Sequence, residues 1–474
     1  MLGQFYGFHF PQIFKSKNVD DPLLGGLGKA RDILNTSRII LVVLAMPKSF
    51  FLFLFSLLWL WPLQGQKTRS RKLQKIIARV AAFDQAQVGV HLVRLDNGKP
   101  LAQQQADRYF TPASNTKLLT TLAVVQTFDS IPSLRYHKDS LGVLHFESTG
   151  YPLLEHPHYP DFELKRFLQS ADSLSYHLSN DTTFLNHLGP GWAWDDRAYY
   201  FSALPSALPF HGNVVQFSKS TDQAILSKPT IFSLQDSLRL NTPVYRALHR
   251  NHFYVNPSRF AAEDTLYTPF VPSEKTTHAL MENSLGKTIA LEANPIRDGA
   301  LLFTHQDAEL YRAVLQESDN LIAENLLLMV AKERLGLFSA KAIIEVLCEE
   351  WAAAPDDWVW VDGSGLSRYN LVTPRNMIWL LQALFQEMGP QKIQHYFPEA
   401  GVSGTLKRSY GSKDLPTVYA KTGTLRNNHN LSGYVLDSQG RWYAFSILVN
   451  QHTTTTSAVR KGIRTLLEEL TRHF

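Results

Sequence analysis

The stretch TPASNTKLLTTLAVVQTF, residues 111–128, decides the fold of this chain. Its apolar residues recur with helical spacing, and Pro112 suits a helix start because its missing N–H needs no partner there. The pattern predicts a helix over residues 114–128. Ser114 and Lys117 then lie one turn apart, on the same face, at the N-terminus of this helix.

The pair Ser114 and Lys117 is suited to act as a nucleophile and its base. A serine hydroxyl is a poor nucleophile at neutral pH, and a lysine amine accepts its proton only where burial or nearby cations lower the pKa of the amine. Backbone N–H groups at the helix N-terminus are also available to a developing oxyanion. The same spacing recurs at Ser284 and Lys287, where no helix-start signal precedes it, and we interpret that second copy as incidental.

A second element, Ser318-Asp319-Asn320, falls in a helical pattern over residues 315–330, and we expect Ser318 and Asn320 at the start of that helix. A second serine near Lys117 can relay a proton to a leaving amine. The amide of Asn320 can bind a substrate carbonyl and hold the lysine. We therefore predict that Ser318 and Asn320 are catalytic.

The third element is KTGT, residues 421–424, which follows a stretch with strand character at residues 416–420. Its glycine allows a substrate backbone to approach closely, and Lys421 and Thr424 are suited to bind a terminal carboxylate. The backbone N–H of Thr424 is a candidate partner of the Ser114 N–H in an oxyanion hole. Lys421 is a candidate catalytic residue. The candidate substrate-binding residues of this element are Thr422, Gly423 and Thr424.

The three elements, in this order, resemble the S-x-x-K, S-D-N and K-T-G motifs of serine β-lactamases and penicillin-binding proteins. The interval from Ser114 to Ser318 is much longer than in class A β-lactamases. It is similar to that of the class C low-molecular-mass penicillin-binding proteins, D-alanyl-D-alanine carboxypeptidases and endopeptidases that carry extra domains there. The resemblance extends from about residue 70 to the end of the sequence. Further stretches that resemble this family are residues 191–196, 317–324, 362–368 and 401–406.

The resemblance implies an α+β fold, an α/β sandwich in which an antiparallel sheet lies between helix layers. The transpeptidase-like catalytic domain is expected from residues 66–130 and 265–474, with a mostly β inserted region of one or two accessory domains at 131–264. Strand patterns flank turns at residues 96–98 and 437–440, as such a sheet requires. Helical patterns are found at residues 67–83, 308–335, 374–388 and 457–471.

The resemblance also implies the reaction. Ser114 attacks the D-Ala-D-Ala carbonyl after Lys117 takes its proton, Ser318 passes that proton to the departing amine, and water releases the acyl group. The expected partners are peptidoglycan stem peptides and cross-links, and β-lactam antibiotics that acylate Ser114. No cofactor is needed, and neither an H-E-x-x-H motif nor a Cys/His spacing indicates a metal site.

The cluster GWAWDD, residues 191–196, lies in the inserted region. Packing and contacts between domains are the preferred interpretation of its tryptophans and aspartates. Asp196 is kept as a candidate substrate-binding residue. The stretch 362–365 is interpreted as a turn near the site.

Two alternative functions stay open at this point. A β-lactamase or esterase on the same fold would deacylate penicillin rapidly or hydrolyse simple esters. A catalytically idle peptidoglycan-binding scaffold would need no activated nucleophile, and the intact Ser114, Lys117, Ser318 and Lys421 argue against it. The residues alone leave open the preference between carboxypeptidase and endopeptidase activity, the role of the inserted region and the oligomeric state.

Residues 46–65 have the layout of a cleavable signal peptide, with a short basic start, an apolar stretch at residues 50–61 and Gly65 as the predicted last residue removed. Residues 1–45 are interpreted as a start-site extension. The protein is therefore expected to be exported, to the periplasm. The competing interpretation is an uncleaved membrane anchor at residues 39–63, interrupted by a proline and a lysine, so a loose membrane association stays open.

The composition is that of a folded protein with more than one structural unit: 474 residues, 44% of them hydrophobic and 19% charged. The net charge is +5, but residues 1–65 hold six basic and three acidic residues and so contribute +3 of it. The rest of the chain is close to neutral, which argues against a nucleic-acid partner. Cys348 is the only cysteine, so no intrachain disulfide can form, and we expect it to be a buried packing residue.

Overall fold

The structure is a computed structural model that describes residues 71–179, 188–222, 224–261, 263–411 and 416–472. All of them belong to one of the two compact units of the chain, Gln64–Phe474. The signal peptide (46–65), the start-site extension (1–45) and the alternative anchor (39–63) lie outside the described residues and stay predictions. Within the described ranges, no helix is both long and apolar enough to cross a membrane.

The elements are numbered in chain order. The helices are α1 (71–79), α2 (Lys117–Thr127), α3 (Phe162–Ser170), α4 (Glu274–Leu285), α5 (Asp307–Leu315), α6 (Asn320–Leu335), α7 (Ala340–Glu350), α8 (Pro374–Tyr396) and α9 (Thr456–Thr471). The strands are β1 (Gln87–Arg94), β2 (Pro100–Gln104), β3 (Leu134–Lys138), β4 (Leu144–Ser148), β5 (Leu174–His177), β6 (Val214–Lys219), β7 (Ile225–Lys228), β8 (Ser233–Asp236), β9 (Val244–Arg246), β10 (His252–Val255), β11 (Thr265–Pro269), β12 (Ile289–Glu292), β13 (Ala300–Leu302), β14 (Thr417–Leu425), β15 (Asn428–Leu436) and β16 (Trp442–Asn450).

A five-stranded antiparallel sheet in the order β14-β15-β16-β1-β2 forms the centre of the catalytic part. Residues of β1 alternate between its faces: Val88, Val90 and Leu92 belong to the apolar cluster of α1 and α9, whereas Val93 belongs to that of α2, α6 and α8. Because both faces are apolar, the sheet is buried between two helix layers, and a slip of one residue would exchange its faces. The predicted α+β fold with an antiparallel sheet between helix layers is confirmed.

Most of the chain between α2 and α5 forms a separate set of sheets. One sheet has the order β12-β5-β4-β3-β13, and two three-stranded sheets have the orders β8-β10-β9 and β11-β6-β7. The mostly β character expected of this part is therefore present. Strands β11, β12 and β13 follow residue 264 but pair with β6, β5 and β3. This pairing favours a boundary after β13 instead of residue 264, and the division into domains stays a prediction.

The helix expected over residues 315–330 begins later than predicted. Helix α5 ends at Leu315 and α6 begins at Asn320, with Ser318 between them at a left-handed φ of 64°. The carboxylate of Asp319 accepts a hydrogen bond from the Ile322 N–H at 2.9 Å and so caps α6. The apolar spacing continues across the break because both helices contribute to the same apolar cluster, and the N-cap therefore decides where the new helix starts.

Candidate active site

Ser114 lies in a 3-10 turn, Ala113–Thr116, that leads directly into α2. This turn is held between β14 and the loop 362–367 by two glycines. A Cβ on Gly423 would lie 2.3 Å from the Pro112 carbonyl oxygen, and one on Gly365 would lie 2.0 Å from that of Ala113. The close approach that Gly423 permits is thus that of the protein's own backbone, and its predicted contact with a substrate stays a prediction.

Lys117 is fully buried and surrounded by hydrogen-bond acceptors. Its Nζ donates to Ser114 Oγ (3.2 Å), Asn320 Oδ1 (2.5 Å) and the carbonyl oxygen of Ser364 (2.6 Å). Burial lowers the pKa of Lys117 to about 8, although nearby carboxylates, Glu324 foremost, act in the opposite direction. About a tenth of the amine is then uncharged at pH 7. The uncharged amine has two N–H groups for Asn320 and Ser364, which leaves its lone pair for the Ser114 hydroxyl.

The Ser364 carbonyl is aimed at Lys117 by a buried carboxylate. Glu324, on α6, accepts hydrogen bonds from the N–H groups of Gly363 (3.0 Å) and Ser364 (2.8 Å). Burial, followed by the charge of Asp362, raises the pKa of Glu324 to about 7. The turn predicted here is present, but the roles of Glu324 and of the Ser364 carbonyl were not predicted, because no sequence pattern marks a backbone carbonyl as the partner of a lysine.

Ser318 and Lys421 form the second serine–lysine pair of the site. Lys421 is fully buried, and its Nζ donates to Ser318 Oγ at 2.8 Å and to the Thr422 carbonyl oxygen at 3.0 Å. Burial, followed by the charge of Lys117, holds the pKa of Lys421 well below its usual value. Charge on Lys117 therefore disfavours charge on Lys421. The structure places Lys421 against Ser318, and its predicted contact with a carboxylate stays a prediction.

An open cleft of about 1050 Å³ brings most of the predicted residues together. The predicted site residues that line it are Ser114, Ser318, Asn320, Thr422, Thr424 and Asp196. The other lining residues that bear on the argument are basic or hydroxylated: Arg368, Arg426, His452, Thr454, Thr455, Thr456 and Arg460. Lys117 and Lys421 reach this cleft through their hydrogen bonds to Ser114 and Ser318.

The cluster at residues 191–196 divides between two environments. The indole N–H of Trp192 donates to the Asp362 carboxylate at 2.9 Å, which fits the packing interpretation. Asp196 lines the cleft instead, and partial burial raises the pKa of its carboxyl although Arg368 acts in the opposite direction. Substrate binding by Asp196 stays a prediction.

Two minor predictions concern residues outside the cleft. Ser284, in the second serine–lysine copy, donates to Glu155, and Lys287 donates to two backbone carbonyls, at 2.5 Å each, so both side chains are used in structural contacts. Cys348 is half-buried, and burial raises the pKa of its thiol to about 11. Among the residues that the structure describes, no group of three or more His, Cys, Asp or Glu side chains could hold a metal ion.

Comparison with curated proteins finds relatives along most of the chain. The D-alanyl-D-alanine carboxypeptidase DacB of Haemophilus influenzae is 26% identical over 424 residues, which cover 77% of this chain and 86% of the relative. The D-alanyl-D-alanine carboxypeptidase of Actinomadura sp. (strain R39) is 27% identical over 452 residues, with 83% of each chain covered.

A solved structure and a family model agree with these relatives. Penicillin binding protein 4 (dacB) from Haemophilus influenzae superposes with a TM-score of 0.64 at 21% identity, covering 84% of this chain and 98% of that one, which supports the fold. The model of the D-Ala-D-Ala carboxypeptidase 3 (S13) family matches residues 69–241 and 274–471, on both sides of a short gap in the inserted region. The family resemblance predicted from the three motifs is thereby confirmed, and the chain belongs to the D-Ala-D-Ala carboxypeptidase 3 (S13) family.

Proposed function

We propose that this protein is a serine D-Ala-D-Ala carboxypeptidase and endopeptidase that cleaves peptidoglycan stem peptides through an acyl-enzyme on Ser114. The observation that carries the proposal is the environment of Lys117, whose buried Nζ contacts Ser114 Oγ and is held by Asn320 and Ser364. The test is incubation with a stem peptide ending in D-Ala-D-Ala. Release of D-alanine that penicillin blocks is expected, and no release from any such peptide would contradict the proposal.

Acylation uses the uncharged form of Lys117. Its lone pair takes the proton of the Ser114 hydroxyl while Oγ attacks the carbonyl of the penultimate D-alanine. The proposed oxyanion donors are the backbone N–H groups of Ser114 and Thr424. The Asn320 amide holds the lysine, and its Nδ2 is in turn fixed by a 2.8 Å hydrogen bond to the Phe201 carbonyl. The base is therefore oriented from two sides before substrate binds.

Breakdown of the tetrahedral intermediate requires a proton for the leaving amine. Ser318 is the proposed relay, because it lines the cleft and its Oγ accepts a hydrogen bond from Lys421. The proton taken by Lys117 passes through Ser318 to the amine, the C–N bond breaks, and the acyl group remains on Ser114. Water then attacks the ester, with Lys117 again as base.

The activity should rise with pH through the pKa of Lys117. Only the uncharged amine can accept the Ser114 proton, and burial places its pKa at about 8. Below this value kcat/KM is expected to fall about tenfold per pH unit as the amine becomes protonated. The measurement is the pH profile of D-alanine release from about pH 5.5 to about pH 9.5. A profile that stays flat through this range would contradict Lys117 as the base.

Endopeptidase activity is favoured by two arginines in the lining of the cleft. Arg426 and Arg460 line it, and neither has a carboxylate partner within ion-pair distance among the described residues. A leaving group that is the stem peptide of a second strand carries more carboxylates than D-alanine does. Cations in the cleft lining that form no ion pair among the described residues complement such a leaving group.

Arg460→Ala should therefore lower kcat/KM for a cross-linked dimeric muropeptide by about fivefold, since an exposed ion pair stabilises binding by up to about 1 kcal/mol. Release of D-alanine from a monomeric peptide should change less than about twofold. Arg464→Ala is the matched control, because Arg464 lies one turn later on α9 and pairs with Glu468 at 3.5 Å. An equal loss on both substrates would contradict a site specific for the cross-linked leaving group.

The expected β-lactam partners follow from the same chemistry, because a β-lactam carbonyl acylates an activated serine and its carboxylate resembles that of D-alanine. We also propose that the protein acts after export, in the periplasm, where peptidoglycan is found, and a loose membrane association stays part of this proposal. Detection of the protein and its activity in a periplasmic extract is the expected result. Recovery in the cytosolic fraction alone would contradict export.

A further inference from the structure

Thr424 is linked to the core by a chain of hydrogen-bonding side chains. Its Oγ1 lies 2.8 Å from Nδ1 of His429, the residue directly opposite on β15. The other ring nitrogen of His429, Nε2, lies 2.7 Å from the hydroxyl of Tyr410. Thr424 is exposed in the cleft, whereas His429 and Tyr410 are buried, with 0% and 3% of their surface exposed. The chain Tyr410–His429–Thr424 therefore runs from the core to the cleft wall.

His429 is held in its neutral form. Burial lowers its pKa to about 3, and the charges of Arg460 and His452 act in the same direction. A neutral imidazole has one N–H donor and one acceptor nitrogen, and the partners of the two nitrogens decide which is which. Both partners here are hydroxyls, which can either donate or accept. Two arrangements of the hydrogen bonds between Tyr410, His429 and Thr424 are therefore possible.

The two arrangements differ in the fate of the Tyr410 hydrogen. If His429 carries its proton on Nε2, it donates to the Tyr410 oxygen, and the Tyr410 hydroxyl must then donate elsewhere. Among the described residues, the only hydrogen-bond partner of this buried hydroxyl is His429. A buried hydroxyl without an acceptor costs free energy. The other arrangement satisfies every donor: Tyr410 donates to Nε2, and Nδ1–H donates to Thr424 Oγ1.

The satisfied arrangement fixes the direction of the Thr424 hydroxyl. Because Oγ1 already accepts from His429, its own hydrogen is left to point into the cleft. Donors in such a chain polarise one another, which strengthens the last of them. Lys421 is fully buried and bonded to Ser318, so an exposed hydroxyl at Thr424 is better placed than its amine to contact a substrate carboxylate.

We propose that His429 and Tyr410 are positioning residues that hold the Thr424 hydroxyl as a hydrogen-bond donor to the terminal carboxylate of the substrate. This inference rests on the proposed function for its substrate, but the state of His429 is a property of the free protein. The inference about His429 and the proposed function can therefore fail separately.

The first test is ¹⁵N NMR of the side-chain nitrogens of His429 in the whole protein, with the resonances assigned by loss in His429→Gln. Protonation of Nδ1, with Nε2 unprotonated, is expected throughout about pH 5 to about pH 8. The opposite tautomer, or a charged ring in this range, would overturn the proposal whatever the protein hydrolyses.

The second test compares two substrates that share a scissile bond, an acylated D-Ala-D-Ala and its C-terminal carboxamide. Tyr410→Phe removes the donor that sets the tautomer, so Thr424 becomes free to donate to His429. The acid should lose roughly tenfold in kcat/KM, mainly through KM, while the carboxamide changes less than about twofold. Thr424→Val should produce a loss on the acid at least as large.

Tyr434→Phe is the matched control, because Tyr434, on β15, is also a buried tyrosine, and its hydroxyl donates to the Leu381 carbonyl at 2.8 Å. This variant should affect both substrates alike. An equal loss on acid and carboxamide in Tyr410→Phe would show a structural role only and overturn the proposal. If the wild-type protein hydrolysed neither substrate, the proposed function would fail and the NMR result alone would decide the inference.

Discussion

Ser114→Ala is expected to lower D-alanine release by at least about 10⁴-fold, because it removes the hydroxyl that forms the acyl-enzyme. The substitution removes only one hydroxyl from the 3-10 turn. Lys117 keeps its hydrogen bonds to Asn320 and Ser364, so its position should not change. The measurement is steady-state release of D-alanine, together with the thermal midpoint as a check on folding. Turnover within about tenfold of wild type would contradict the assignment of the nucleophile.

The chain contains its own control for this variant. Ser284 precedes Lys287 with the same spacing, but its hydroxyl contacts Glu155 and lies outside the cleft lining. Ser284→Ala should leave the turnover within about twofold of wild type. A comparable loss in both variants would mean that the assay reports folding and not chemistry.

Lys117→Ala is expected to lower the acylation rate by about 10³-fold to 10⁴-fold, the contribution typical of a well-placed general base. It also leaves the Asn320 Oδ1 and Ser364 carbonyl oxygens without their donor in a buried space, which lowers the free energy of unfolding by about 1 to 3 kcal/mol per group. The thermal midpoint must therefore be measured beside the rate. A variant that is folded but inactive is the expected outcome.

Two further measurements separate loss of the base from loss of structure. A small primary amine added to Lys117→Ala should restore part of the rate, with a pH profile that follows the pKa of the added amine. Lys287→Ala, in the second serine–lysine copy, should keep the rate of wild type. Undiminished acylation in folded Lys117→Ala would move the role of base to another group, with Lys421 as the candidate amine because it contacts Ser318 of the same site.

The sequence predicts the fold to the extent that short-range patterns determine it. The proline-led helix of Ser114 and Lys117, the two hairpins of the central sheet and the family itself all follow from patterns of a few residues. The predicted start of α6 was wrong. Apolar spacing extends across Ser318, whereas capping by Asp319 decides where the helix begins. The pairing of β12 and β13 with strands of the inserted region depends on contacts distant in sequence.

The candidate site likewise has residues that the sequence predicts and residues that only the structure reveals. The motifs identify Ser114, Lys117, Ser318 and Lys421, but the groups that orient them come from other segments. The Ser364 carbonyl contacts Lys117 from a loop that Glu324 helps to hold, and a backbone carbonyl has no signature in sequence. The contact between Thr424 and His429 depends on the register of β14 and β15, which a hairpin pattern with a two-residue connection could have suggested.

The two alternatives to the proposed function differ in the fate of an acyl-enzyme. A β-lactamase of this fold would acylate and then deacylate rapidly, whereas an idle scaffold would not acylate at all. The buried, oriented Lys117 is an arrangement that a scaffold does not need. Burial of an amine costs free energy, and a protein that only binds peptidoglycan gains nothing from the lowered pKa of that amine. The accumulation of a covalent adduct therefore distinguishes the proposed function from both alternatives.

The most direct test is the intact mass of purified wild-type protein and of Ser114→Ala after brief exposure to a penicillin. A stable increase by the mass of the drug in wild type, and none in Ser114→Ala, is the predicted result and would identify Ser114 as a slowly deacylating nucleophile. An adduct on both proteins would contradict the assignment of Ser114. The absence of an adduct on wild type would contradict the account, and turnover of the drug would then distinguish a β-lactamase from a scaffold.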